Sequence, residues 1–192
     1  MLSLHQAEVL KSLIENEQID QARELALSLI SVADWLDFIQ EYIPPLSDPS
    51  GFLCAFGNAP VVDRVARQIA LDIAEKHVSL YPEQVNLLTE TIAQTRAYLR
   101  GELTWDALVK VEEAIDDVAI NLDLSGPSED AAIICAEAAR TEPISSPGQQ
   151  ALDNILHDFL EIFSPEMRIW IEAELHAAAV TLCDQKREPT LG

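Results

Sequence analysis

Glu112, Glu113, Asp116 and Asp117 are the residues of this chain whose types and spacing come closest to chemistry. Carboxylates three and four residues apart share a helix face, and together they offer hard oxygen ligands to a magnesium ion. Such a site needs a second acidic helix to complete it. Downstream stand Glu129, Asp130 and Glu137, but no Glu-x-x-Asp pair. The apolar stripe Leu108, Val111, Ile115, Val118, Leu122 also leaves the four acids largely off the buried face. A solvated helix face is therefore the preferred reading, with metal binding by these four residues as the alternative.

Other chemistries lack their signatures. His5, His77, His157 and His176 belong to no HExxH or Glu-x-x-His pattern, and Glu172 with His176 forms only a one-turn pair. The glycines make no GxSxG, GxGxxG or Walker sequence. Cys54, Cys135 and Cys183 are far apart and odd in number, which predicts small core residues in a reducing compartment and neither a disulfide framework nor zinc. No catalytic residue, resident metal or cofactor is expected.

Charge speaks about partners. The chain carries 33 Asp and Glu against 12 Lys and Arg, a formal charge of −21. A field of that sign repels nucleic acid and anionic lipid and attracts basic proteins. Residues 101–150 alone hold eleven acids and two bases. Arg64, Arg67, Lys76, Arg96 and Arg100 approach a basic cluster, but five acids in the same fifty residues predict internal pairing. Trp105, following Thr104 at a helix start, is the tryptophan best placed for exposure. Glu102, Trp105, Asp106, Glu112, Glu113, Asp116 and Asp117 are accordingly the expected partner-binding face.

The elements that must position these residues are helices. Hydrophobic residues make up 48% of the chain, enough for a core despite the charge. Strand signals are nearly absent, and the ten prolines fall mostly where helices would begin or end. The expectation is an all-α, single-domain antiparallel helical bundle of about seven or eight helices spanning 1–192. Within it, an N-terminal helical subdomain 1–44, a loop 45–58 and a main bundle 59–185 can be drawn. Ser3 with Gln6 predicts a capping box, Gly101 a left-handed C-cap, and Thr104 an N-cap. The acidic start argues against a signal peptide, and the apolar run Leu25–Ala33 is far shorter than the ~20 residues of a membrane span. A cytoplasmic protein follows; oligomeric state is not legible.

From Ala66 onward the chain reads ARQIALDIAEKHVSLYPEQ, then LTETIAQTRAYLRGELTWDAL to Leu108. This segment resembles the helical immunity-protein family of bacterial polymorphic-toxin systems. The matching elements are Asp72, Glu75, Tyr81-Pro82, Thr95-Arg96, Tyr98 in place of a tryptophan, and Gly101-Glu102. The acidic stretch Val109 to Leu122 departs from the alanine-rich helix of that pattern, and the first forty residues have no counterpart in it. The resemblance implies a non-catalytic protein that binds and blocks a toxin, and an acidic inhibitor suits a basic one. The alternatives are a magnesium-dependent, all-helical nucleotide pyrophosphohydrolase of the MazG type using Glu112, Glu113, Asp116 and Asp117, and a scaffold or dimerising adaptor.

Overall fold

The computed structural model describes residues 2–79, 85–121, 127–141 and 146–184. Ten helices occur among them: α1 (Leu4–Glu15), α2 (Ile19–Leu29), α3 (Val32–Ile39), α4 (Pro49–Cys54), α5 (Ala59–Val78), α6 (Val85–Leu99), α7 (Trp105–Asn121), α8 (Pro127–Ala139), α9 (Pro147–Phe159) and α10 (Pro165–Asp184). No strand is present among the described residues, so the all-helical expectation holds, with more helices than seven or eight. No helix among those residues is long and apolar enough to cross a membrane.

The chain divides into two compact units. One unit comprises residues 1–62 with 165–192, the other Asp63–Ser164. In the first unit, the Ser3–Gln6 capping box forms as expected at the start of α1. The unit centres on Trp35, which is fully buried and packs its ring against Phe38 and Phe56.

The segment read as a loop contains α4. Its six residues are too few for apolar periodicity to show, and proline and glycine dominate the local signal. Asp48 caps it by accepting from Gly51 N at 2.8 Å, and Pro49 occupies the first turn, where its missing N–H is no loss. The carbonyls left over at its C-terminal end find side-chain donors: Arg23 Nη1 donates to Cys54 O (2.9 Å) and Gly57 O (2.7 Å), and Trp35 Nε1 to Ala55 O (3.0 Å). Tertiary partners, not propensity, hold this helix.

In the second unit α8 packs against α6, α7 and α9. It does so because small residues allow close approach: Ala131, Ala132, Cys135, Ala138 and Ala139 are all buried, with Ile134. Leu108, Val111 and Ile115 of α7 are buried as the stripe predicts; the side chains of Val118 and Leu122 lie outside the described residues. So do Tyr81-Pro82.

Two glycines set the geometry around the later site. Gly101, at φ +77°, ends α6 in the left-handed region, with Gly101 N donating to Tyr98 O and Glu102 N to Ala97 O. Gly148 sits in the first turn of α9, where Asp63 Oδ1 accepts from Gly148 N (2.7 Å) and Gln149 N (3.1 Å) in place of the absent Ser146 cap. A Cβ at 148 would overlap the Asp63 carbonyl oxygen and come within 2.8 Å of Arg67 Cβ. Gly148→Ala is therefore expected to push α9 off α5 and cost about 1–3 kcal/mol in chemical denaturation, as overpacked sites do.

Candidate functional site

The α7 carboxylates fall into two groups. Glu113, Asp116 and Asp117 are exposed, as is Asp106 in the first turn, while Glu112 is half-buried. Glu112 Oε2 accepts from Thr141 N at 2.8 Å and from the Thr141 hydroxyl, tying α7 to the residues that follow α8. On α8, Glu137 takes a two-pronged hydrogen bond from Arg140 Nη1 (2.9 and 2.8 Å) and a third from Asn154 Nδ2 of α9 (3.0 Å).

Asp116 lies in the field of both. Partial desolvation, then the negative charges of Glu112 and Glu137, hold its carboxyl above the ordinary 3.8, with Arg140 opposing. Carboxylates of α7 and α8 thus do approach one another, but the nearby cation is Arg140, in the sequence Glu137-x-x-Arg140. Among the described residues no three His, Cys, Asp or Glu side chains are grouped as an ion's ligands. Glu112 and Glu137 are engaged by protein donors, and Glu113 is exposed.

The remaining predicted residues gather at the start of α7. Glu102 pairs with Arg100 through two 2.7 Å hydrogen bonds, which lower its carboxyl below the usual range. Trp105 is 37% exposed and meets Tyr98 edge-on at 5.8 Å. Thr104 caps α7 through Oγ1 to Ala107 N, as its type predicts. Asp106, Glu113, Asp116 and Asp117 form no ion pair among the described residues.

The basic residues pair internally to different degrees. Arg96 binds Asp72 and Glu75 across α5 and α6, so three of the residues that carry the immunity-protein resemblance form one salt-bridge cluster. Arg64 Nη2 donates to Leu99 O at 2.6 Å. Arg67 is the exception. It is 2% exposed, its Nη2 donates to Arg140 O at 2.7 Å, and its Nη1 has no partner among the described residues. Burial pushes the Arg67 guanidinium below its ordinary value, against the nearby charges of Asp63 and Glu112.

Arg64 and Arg67 line a cleft of about 480 Å³ with Asp63, Tyr98, Arg100 and Trp105. The sequence reading did not assemble this cleft. Its one available signal was Arg67 among the buried positions Ala66, Ile69 and Ala70, a charge where a core helix should carry none.

Other candidates are structural. His176 packs its ring on Phe52 at 5.6 Å and forms no ion pair with Glu172 among the described residues. Cys135 and Cys183 are buried thiols outside any disulfide, and Cys183 Sγ donates to Phe56 O at 3.9 Å. Burial alone pushes the Cys135 thiol up to about 12, leaving it no thiolate near neutrality.

Two outcomes are expected. Asp116→Asn should raise the melting temperature at neutral pH. The folded state holds the Asp116 proton more tightly than the unfolded chain does, so stability is lost as pH rises from the ordinary 3.8 upward, and the variant's gain should vanish below that value. Iodoacetamide at mildly alkaline pH should leave Cys135 unlabelled by mass spectrometry until denaturant is added.

Comparison of the chain with protein-family models, with curated proteins and with solved structures returns no match.

Proposed function

We propose that this chain is a non-catalytic binding module whose acidic α7 surface receives a basic protein, in the manner of an immunity protein neutralising a basic toxin in the bacterial cytoplasm. The observation that carries the reading is the line Asp106, Glu113 and Asp117. These are exposed carboxylates on one face of α7 without an ion pair among the described residues, next to half-exposed Trp105. Positions 106, 113 and 117 recur within a few tens of degrees at 3.6 residues per turn, and Lys110 is the single base among them.

Like charges held along one face raise the local negative potential. A cationic partner relieves that repulsion and is steered to the face as it approaches. Tryptophan at the end of such a face supplies the apolar anchor that charge alone lacks. The resemblance of Ala66–Leu108 to helical immunity proteins supports the same class of function.

A magnesium-dependent nucleotide hydrolase is the second reading. It is favoured by the approach of Asp116 to both Glu112 and Glu137, and weakened by the protein donors that already engage Glu112 and Glu137.

The two separate in one set of measurements. The Asp106→Lys, Glu113→Lys, Asp117→Lys triple variant changes only exposed positions and is expected to stay folded. Its association with a basic protein captured from the native cells should slow by about tenfold or more, and the parent's association should weaken steeply with salt. Unchanged association would remove the binding reading. Saturable magnesium uptake and nucleoside triphosphate cleavage, both lost in Glu112→Gln, would put the hydrolase in its place.

A further inference from the structure

The cleft bounded by α5, the α6–α7 junction and the start of α9 has the opposite character to the rest of the molecule. In a chain of charge −21 its lining carries three arginines against one aspartate. That aspartate, Asp63, directs Oδ1 to the first-turn amides of α9 and makes no ion pair among the described residues. Arg100 is matched by Glu102 at the rim. Among the described residues Arg64 and Arg67 are not matched by any carboxylate within ion-pair distance; each donates to a backbone carbonyl.

We propose that this cleft binds a phosphate ester carried on a planar ring, an aryl or nucleoside phosphate in class, with Arg67 and Arg64 holding the phosphate and Tyr98 and Trp105 the ring.

Arg67 supplies the main argument. A guanidinium buried to 98%, with Nη1 unpartnered among the described residues, is a group whose hydration has been removed and only partly replaced. Arg67 lines the cleft, so an oxyanion entering it meets a positive charge that the surrounding protein compensates incompletely. Arginine, with its planar fork, is the side chain suited to a phosphate.

The aromatic pair supplies the second argument. Tyr98 and Trp105 stand edge-on at 64°, and Trp105 keeps over a third of its surface exposed, apolar surface that a planar ligand in the cleft would cover. The volume, about 480 Å³, lies within the range of small-molecule sites. The start of α7 at Trp105 adds partial positive charge at the same end of the cleft.

The inference stands apart from the acidic face, with which it shares only Trp105. Calorimetry and thermal shift with phenyl phosphate, inorganic phosphate and benzoate test it. Phenyl phosphate is expected to bind saturably, to raise the melting temperature and to change Trp105 fluorescence. Inorganic phosphate, which lacks the ring, should bind about tenfold more weakly. Arg64→Gln, at an exposed position, should weaken both phosphates about tenfold while leaving association with a basic protein unchanged. Trp105→Leu should bring phenyl phosphate down to the affinity of inorganic phosphate. Arg67→Lys keeps the charge but loses the fork and should weaken both phosphates; if it does not fold, the other two variants carry the test. Absence of saturable binding by either phosphate, binding unaltered by both Arg64→Gln and Trp105→Leu, or benzoate binding as tightly as phenyl phosphate would each overturn the proposal.

Discussion

Helices that carry 33 acids and 12 bases can pack only if the few cations stand where they relieve the most strain. The arginines are found at the joints. In the first unit Arg23 of α2 reaches the terminal carbonyls of α4. In the second, Arg96 of α6 reaches two acids of α5, and Arg67 of α5 reaches the carbonyl of Arg140 just beyond α8. Arg140 itself holds Glu137, which binds Asn154 of α9. Each replaces water at a helix end or a carboxylate with a fixed donor, so partial burial of polar groups is tolerated. Remove these contacts and both like-charge repulsion and unsatisfied carbonyls would oppose the packing.

The same economy of cations explains how α7 divides its acids. Glu112 is drawn inward because Thr141 presents two donors to it, while Asp106, Glu113 and Asp117 have no such donor among the described residues and stay exposed. Asp116 falls between, close enough to Glu112 and Glu137 to feel both and too exposed to be bound by either. An acidic outer face and a partly neutralised inner one follow from a single helix. The outer face is free to act at a distance, and the inner one is part of the scaffold.

Arg67 breaks the pattern. Every other buried or half-buried arginine named here has a carboxylate on it, whereas Arg67 has one carbonyl and no carboxylate within ion-pair distance among the described residues. It stands where α5 is pressed against the first turn of α9 by Gly148 and Asp63, and where the left-handed turn at Gly101 brings the start of α7 alongside. A cleft with positive walls in a negative protein is the outcome of those three helix ends meeting.

Local chemistry made much of this legible beforehand. The α1 capping box, the Gly101 turn, the Thr104 cap and the buried stripe Leu108, Val111, Ile115 depend on residues within a few positions of one another, and side-chain type decides them wherever the chain goes. The exposed side of α7 was readable for the same reason, as the complement of its apolar stripe. Helix α4 was not, because its last carbonyls are met by Arg23 and Trp35, one to three dozen residues away. Nor was the division into two units, nor the cleft: Arg67 and Arg140 are 73 residues apart, and Asp63 and Gly148 are 85. The sequence by itself determined an acidic, all-helical chain and the inward side of a periodic helix such as α7, since both follow from composition and a 3.6-residue period. Only the tertiary structure decided which charges meet and which stay unmatched, since that depends on distances across helices that no local spacing encodes.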